Sequence, residues 1–310
     1  MCIRDRLYIG WNGLTFAFGT LGDFNYVARA IWPGIVSVIT LFWLARYFTL
    51  KRRMVGPSNA LVVMTTLSAT QLGTVLFARL VLDQFTLESS LDFWQGFGAV
   101  FVPAFVIAAL AVFWIAYRIP STLFAIALSV YMLVFGLTSA TGASLDSFRD
   151  LFLLSATGPF AALTILLGLV GFAAAMYFDT KDPHRVTRHA KNAFWLHIVA
   201  APAIVNTVAL TLFSDGGFVA LVLLVLFLIF ITILALVVDR RSFLMSGIFY
   251  VVALAFSIDE GSTFLTIFIL GLGLVGIGAK WARLRAGVMN ALPPFPYKDR
   301  LPPWGQPQIS

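Results

Sequence analysis

Long runs of apolar residues, separated by short polar stretches, make up most of the chain. A helix needs about 20 mostly apolar residues to cross a bilayer. The runs are continuous, whereas the strands of a membrane barrel alternate polar and apolar residues. The pattern therefore predicts an all-α, polytopic transmembrane helix bundle with nine to ten spans. The predicted spans are residues 33–50, 59–82, 93–117, 121–141, 151–178, 193–213, 217–238, 242–257 and 261–279, with a weaker tenth at 7–21.

Basic residues are confined to alternate loops of this arrangement. One set of loops, together with the tail, carries 15 Lys and Arg, whereas after residue 82 the other set carries only Arg149 and is otherwise acidic. Cytoplasmic loops of membrane proteins carry the excess of Lys and Arg, so the first set and the C-terminus are expected to be cytoplasmic. The 15 residues are Lys51, Arg52, Arg53, Arg118, Lys181, Arg185, Arg188, Lys191, Arg240, Arg241, Lys280, Arg283, Arg285, Lys298 and Arg300.

The composition excludes the main alternatives to a membrane protein. Of the 310 residues, 60% are hydrophobic and 11% are charged, and the mean hydropathy is +0.93. A soluble globule cannot bury that much apolar surface, and a disordered chain would need far more polar residues. The net charge of +7 is explained by the loops, so no nucleic-acid partner is expected. The single cysteine, Cys2, excludes an intrachain disulfide and a cysteine-based metal cluster.

The predicted organisation has three parts. Residues 1–32 form an N-terminal segment with a partial span, and its first six residues, MCIRDR, resemble a translated sequencing-adapter remnant, which predicts that the chain is a fragment. Residues 33–279 form the helix bundle. In the tail, 280–310, apolar residues at helical spacing over 280–292 predict an interfacial helix, and the proline-rich remainder is expected to be a docking peptide or a solvated end.

Three polar residues within the predicted spans form the candidate intramembrane polar site: Gln71, His197 and Asn206. Gln71 lies near the midplane and needs a hydrogen-bond partner there. His197 lies about one turn inside segment 193–213 and has two interpretations. It is a proton-relay group, helped by the backbone carbonyl that Pro202 frees, or a neutral histidine bonded to a neighbouring helix near the inner interface.

The longest inner loop, 179–192, carries Arg185, Arg188 and Lys191. These residues are expected either to attract anionic lipid headgroups or simply to stop translocation. His184 and His189 lie in the same loop without further ligands for a metal, and no cofactor is expected. The sequence contains no nucleophile elbow, P-loop or HExxH motif, and the GxGxxG pattern at 271–276 lies within an apolar helix, where it favours helix packing.

Several stretches are similar to uncharacterised polytopic inner-membrane proteins of Gram-negative bacteria. They are residues 47–58 (YFTLKRRMVGPS), 178–188 (FDTKDPHRVTR), 193–202 (AFWLHIVAAP) and the repeated Leu-Pro-Pro of the tail at 292 and 301. The resemblance covers about a fifth of the chain. It implies a multi-pass protein of a bacterial inner membrane and carries no functional residues over.

The sequence therefore favours a non-catalytic scaffold or accessory component of the membrane. The alternative is a small-solute transporter with a cavity between helices 59–82 and 193–213, since both contain polar residues within a span. No Asp or Glu lies well inside a predicted span, which argues against an ion-coupled pump and an intramembrane aspartyl protease.

Overall fold

The structure, a computed structural model, describes residues 26–81, 91–143, 148–154, 158–215, 217–243, 272, 275–296 and 298–304. Regular structure in these ranges is helical, and no strand occurs among them. The long helices are α1 (Tyr26–Ala45), α2 (Val55–Val81), α3 (Leu91–Tyr117), α4 (Ser121–Ala140), α5 (Phe160–Lys181), α6 (Arg188–Asp215), α7 (Phe218–Val238) and α8 (Trp281–Ala291). A π-helical turn (Arg46–Lys51) extends α1, and short 3₁₀ turns occupy Phe148–Leu151 and Lys298–Arg300.

Seven helical stretches are long and apolar enough to cross a membrane. They overlap seven of the nine predicted spans and, within the described residues, confirm an all-helical architecture with several helices that could span a membrane. The segments predicted at 242–257, 261–279 and 7–21 lie outside the described residues, apart from 242, 243, 272 and 275–279. A total of nine or ten spans therefore stays a prediction. The seven stretches are Gly34–Lys51, Val55–Phe77, Phe97–Tyr117, Ser121–Ala140, Phe160–Lys181, Arg188–Asp215 and Phe218–Val238.

Two spans have different bounds from those that hydropathy predicts. The segment predicted at 151–178 begins as a helix only at Phe160, with Pro159 as the residue before it. Proline fits there because the first helical turn does not need its missing N–H. The segment predicted at 193–213 begins earlier, at Arg188. His197 is consequently nine residues, or roughly 14 Å along the axis, from the start of α6 rather than about one turn.

The chain divides into two compact units between residues 144 and 145. In the first unit, helices α1 to α4 pack in sequence, and the core between them is apolar and aromatic. The rings of Phe42 and Phe113 meet edge to face with their centroids 5.2 Å apart. The Tyr117 ring packs on Phe113, and its hydroxyl donates to the carbonyl of Phe42 at 2.6 Å. This bond fixes the end of α3 against α1.

Small residues allow close helix packing in both units. In the first unit, a Cβ added to Gly136 of α4 would lie 2.2 Å from the carbonyl oxygen of Ala99 on α3. In the second unit, a Cβ on Gly168 of α5 would lie 3.0 Å from the Cβ of Ala203 on α6. Glycine at such positions lets two backbones approach closely, which is a common way to hold helices together within a bilayer.

The second unit is built on the α5–α6 hairpin, which α7 and α8 complete. A buried apolar cluster joins the end of α7 to α6 and to the first residue of α8. This cluster is formed by Ala201, Val205, Ile231, Ala235, Leu236, Phe243 and Trp281. It brings the polar residues at the end of α5, the beginning of α8 and the end of α7 close to one another.

Candidate functional site: a buried ion-pair network

Asp179, near the end of α5, is buried among polar groups from two other elements. His197 of α6 lies with its Nε2 2.9 Å from the Asp179 Oδ2. Arg240, just after α7, donates from its Nε to the same oxygen at 3.1 Å and from its Nη2 to Oδ1. The exposed fractions of the three residues are 2%, 0% and 8%. Arg240 also donates to the carbonyl of Ala190 at 3.1 Å, so one guanidinium joins three elements.

The surroundings of His197 favour its neutral form. Its Nδ1 is buried without a hydrogen-bond partner among the described residues, and the rings of Phe172 and Phe243 pack within 6 Å of the imidazole. A protonated imidazole would carry a second N–H with no acceptor, which is costly in a buried site. The geometry therefore fits a neutral ring that donates from Nε2 to Asp179. His197 is thus bonded to a neighbouring helix, α5, and its role as a proton relay stays a prediction.

Asp239 forms the second centre of charge. It ends α7 in the left-handed conformation, with φ of 57°, which Asp adopts more readily than most residues. Its carboxylate accepts from the Nη1 of Arg185 at 2.8 Å and from the indole Nε1 of Trp281 at 2.6 Å. Arg185 also donates to the Asp239 carbonyl at 2.8 Å. The turn between α5 and α6 is thereby bound to the end of α7 and to the start of α8.

Arg285 of α8 connects this centre to the tail. Its guanidinium donates to the carbonyl of Leu236 at 3.1 Å, of Pro303 at 2.9 Å and of Pro302 at 2.5 Å. Its Nε lies 3.8 Å from the Asp239 carboxylate. Burial lowers the pKa of Arg285, and the nearby Asp239 carboxylate opposes this shift. A guanidinium at the carbonyl end of α7 also interacts favourably with the helix dipole.

Residues 301–304, the last described part of the tail, fold back against α8. Leu301 and Pro302 are buried, and the Trp304 indole donates to the Asn290 side chain at 3.2 Å. The predicted helix at 280–292 is present as α8, but its buried face differs from the predicted apolar stripe. That face consists of Trp281, Arg285 and Met289. Apolar spacing alone does not predict this face, because it includes Arg285.

We call Asp179, Arg185, His197, Asp239, Arg240, Trp281 and Arg285 the ion-pair network. Its two centres contain two aspartates and three arginines, and the excess positive charge faces backbone carbonyls. Removing one member would leave a buried charge without its partner, which is far more costly than losing an exposed pair. The arrangement is suited to hold α5, α6, the end of α7, α8 and the tail in one geometry.

Asp182 lies beside the network and explains the early start of α6. Its carboxylate accepts from the backbone N–H groups of Val186 at 3.1 Å and of Thr187 at 2.7 Å, and from the Thr187 hydroxyl at 2.7 Å. Burial alone would raise the pKa of Asp182, but these hydrogen bonds outweigh it and hold the pKa below its ordinary value. Asp182 thus holds Thr187, the residue before α6, and the Thr187 hydroxyl accepts at 3.1 Å from the N–H of His189, a group that a helix start otherwise leaves unpaired.

The structure distributes the three predicted site residues over both units. Gln71 belongs to the first unit, and its side chain is exposed. His197 and Asn206 both lie on α6, nine residues apart and therefore on roughly opposite sides of that helix. Of the three, only His197 is part of the ion-pair network. Asn206 is partly buried in the second unit.

Gln71 lies on an exposed polar face of α2, which we define as Thr70, Gln71 and Thr74. The two threonine hydroxyls each donate to the carbonyl four residues earlier, at 2.9 Å. Their polarity is therefore satisfied within the helix. The side-chain amide of Gln71 has two donors and one acceptor. Unlike the threonine hydroxyls, it makes no such hydrogen bond to the backbone of α2.

Sequence reasoning missed Asp179, Asp239, Arg240 and Arg285 because it counted them as loop charges. A signal was nevertheless present: the inner loops and tail contain many basic residues but only the acids Asp179, Asp182, Asp239 and Asp299. A rare acid among many bases, next to a span, is a good candidate for a specific partner. The sequence cannot show which base is that partner, because the pairs are up to 61 residues apart.

The basic residues predicted to attract lipid headgroups have different environments in the α5–α6 turn. Arg185 is held by Asp239, and burial lowers its pKa. The side chains of Arg188 and Lys191 are exposed. Within the described residues, no group of three or more His, Cys, Asp or Glu side chains is arranged to hold a metal ion. His189 instead stacks on the ring of Phe178, with centroids 5.7 Å apart.

Comparison with known proteins found no match to a protein-family model, to a curated protein or to a solved structure.

Proposed function

We propose that this chain is a non-catalytic scaffold or accessory component of a bacterial inner membrane, with the ion-pair network and the C-terminus on the cytoplasmic side. The observation that carries this proposal is the pairing of the charged groups in the second unit. Asp179, Asp182 and Asp239 are each engaged by side chains or backbone N–H groups of the chain itself. Groups so engaged stabilise a geometry and are poorly placed to bind or transform a substrate.

The orientation follows from the distribution of charge. Exposed basic side chains lie at the end of α5, at the start of α6 and on α8. Basic residues next to spans remain on the cytoplasmic side during insertion. The same rule supports a cytoplasmic tail, because the tail is attached to the network through Arg285.

A scaffold requires a partner, and the outward face of α8 is the surface to probe. Arg283, Leu284 and Gly287 are exposed on this helix, whereas Met289 is fully buried. A photoreactive residue at Arg283 or Gly287, introduced in living cells, is expected to give the same discrete protein adduct. The matched control at Met289 should give none. Absence of any protein adduct from both exposed positions would contradict the scaffold proposal.

The second candidate function is a small-solute transporter, and the polar face of α2 favours it. An exposed glutamine on a spanning helix is costly in lipid, so it needs water or a polar partner. A water-filled path would provide one. A transporter of this kind also requires water near Asn206.

Cysteine labelling separates the two candidates. With Cys2 replaced by Ser, single cysteines are placed at Gln71, His197 and Asn206, and membranes are treated with a small water-soluble thiol reagent. Lys191→Cys is the exposed control, and Leu41→Cys is the buried control. Labelling at 71 and 206 close to the level of position 191 would favour the transporter. In a closed scaffold, positions 71 and 206 are expected to be labelled only to the level of position 41.

A further inference from the structure

Three basic side chains at the α5–α6 end are exposed without an exposed acid beside them. Lys181 is the last residue of one span, and Arg188 and Lys191 lie in the first turn of the next. The acids of the same stretch, Asp179 and Asp182, are both buried. The stretch 179–192 contains four basic and two acidic residues, and the charged side chains that it exposes are all basic.

Apolar and aromatic side chains accompany these charges on the membrane side. The Lys181 ammonium lies 4.0 Å from the centroid of the Tyr177 ring and bonds to its hydroxyl. Tyr177 is 56% exposed, and Phe194, one turn from Lys191, is 46% exposed. Aromatic residues at span ends contact the region between headgroups and acyl chains. The surface therefore offers cations at the level of the headgroups and rings at the level of the upper acyl chains.

These three basic residues lie at the ends of two spans, and this position indicates which anion they bind. A charged group at the membrane boundary meets lipid phosphates at high local concentration, and each Lys or Arg near an anionic surface adds to the attraction. The backbone N–H groups of Val186 and Thr187, just before α6, are bound by Asp182, and that of His189 is bound by the Thr187 hydroxyl. The exposed side chains are therefore the groups best placed to bind an anion. We propose that Lys181, Arg188 and Lys191 form a binding surface for the headgroups of anionic phospholipids.

This surface is independent of whether the protein is a scaffold or a transporter. It distinguishes Arg185 from its neighbours, because the guanidinium of Arg185 is bound to Asp239 and belongs to the ion-pair network. Arg185→Gln should therefore change stability, whereas substitutions of the three surface residues should change lipid binding.

The test uses the full chain purified in detergent, with phosphatidylglycerol and phosphatidylcholine as probes in native mass spectrometry. The protein is expected to retain phosphatidylglycerol preferentially. In the triple variant Lys181→Gln, Arg188→Gln, Lys191→Gln, the apparent affinity for phosphatidylglycerol should fall about tenfold or more, with little change for phosphatidylcholine. The preference should also weaken as salt concentration rises.

The control variant removes two exposed bases that do not adjoin the end of a described span: Arg283→Gln and Arg300→Gln. It should keep the preference of the parent protein. Unfolding curves of both variants check that neither has lost its fold. The proposal is overturned if the parent shows no preference for phosphatidylglycerol or if the α5–α6 variant keeps it. An equal loss in the control would also overturn it, because it would mean that binding follows total charge.

Binding of a protein, instead of lipid, to this basic surface is the remaining outcome. A photoreactive residue at Val186, which is 83% exposed at the tip of the same turn, is expected to form adducts with lipid. A discrete protein adduct, with lipid binding unchanged in the triple variant, would show an acidic protein surface as the occupant and would overturn the proposal.

Discussion

Polar groups in the first unit bond mainly to their own helices, whereas the buried charged groups in the second unit bond across elements. In α2, the hydroxyls of Thr65, Thr66, Thr70 and Thr74 each donate to the carbonyl four residues earlier. In the second unit, Arg240 bonds to a carboxylate 61 residues away, and Arg285 bonds to the tail and to the end of α7. Close packing of apolar and small side chains holds the first unit together, and the second unit has buried ion pairs as well.

Because of this difference, the two units should tolerate different kinds of substitution. A hydroxyl that bonds to its own backbone can be lost with little effect on neighbouring helices. A buried charge bonded across elements cannot, because its partners then remain desolvated and unpaired. The first unit should therefore be most sensitive to changes in volume, and the second to changes in charge.

The largest effect is expected from Asp179→Asn. This change leaves the Arg240 guanidinium buried without a counter-charge and should lower the free energy of unfolding by about 3–5 kcal/mol. SDS titration of the purified protein, followed by tryptophan fluorescence, measures it. Asp215→Asn is the control, because Asp215 is exposed at the other end of α6. Adding Arg240→Met should recover part of the loss, and a double variant weaker than the single one would contradict the pairing.

In the first unit, Gly136→Ala should have the next largest effect. The added methyl group would overlap the carbonyl of Ala99, so α3 and α4 must separate. Overpacking of this kind costs about 1–3 kcal/mol. Gly56→Ala is the matched control in α2, since nothing lies within 4 Å of its added Cβ. Equal stability of the two variants in the same titration would mean that close packing does not hold the first unit together.

Asp182→Ala tests the second unit further, because the stabilisation by this carboxylate should depend on pH. Loss of the carboxylate at the start of α6 should lower the free energy of unfolding by about 0.5–2 kcal/mol at neutral pH. The pKa of Asp182 is lowered in the folded protein, so its stabilisation is present above the unfolded pKa of about 3.9 and is lost as the pH falls through the folded value. The difference between the parent and the variant should therefore shrink below about pH 4. A difference that is constant from pH 7 to pH 3 would argue against an ionised acceptor.

The smallest effect is expected from Tyr117→Phe in the first unit. This change removes the hydroxyl that donates to the carbonyl of Phe42 but keeps the ring contacts with Phe113. Loss of such a neutral hydrogen bond costs about 0.5–1.5 kcal/mol. Unfolding in SDS measures it, with Tyr177→Phe as a control on an exposed ring. A loss as large as that of Asp179→Asn would remove the distinction between the two units.

Much of the fold was predictable because hydropathy is a local property. A run of apolar residues specifies a spanning helix whatever its neighbours are, so seven described spans match their predicted segments. The ends of two spans were not predictable from hydropathy. Pro159 delays the start of α5, and the carboxylate of Asp182 allows α6 to begin within a basic stretch. Capping depends on a few specific hydrogen bonds and not on the average polarity of a window.

The candidate site was predictable only in part. His197 stood out because an ionisable residue within a span is rare, and its bond to a neighbouring helix was one of the two expectations. Asp179 and Arg240 did not stand out, because charged residues next to span ends are ordinary. Gln71 was predicted from its polarity near the middle of a span, yet its side chain is exposed and belongs to the first unit.

The all-helical class and the positions of the long apolar helices follow from the sequence alone, because both depend on the transfer of apolar residues out of water. Which of the inner charges are solvated and which are buried is known only from the three-dimensional packing. Arg188 and Arg240 look alike in the sequence, but the first is exposed and the second is bound to Asp179. That distinction depends on contacts between residues far apart in the chain, which only the packing of the helices brings together.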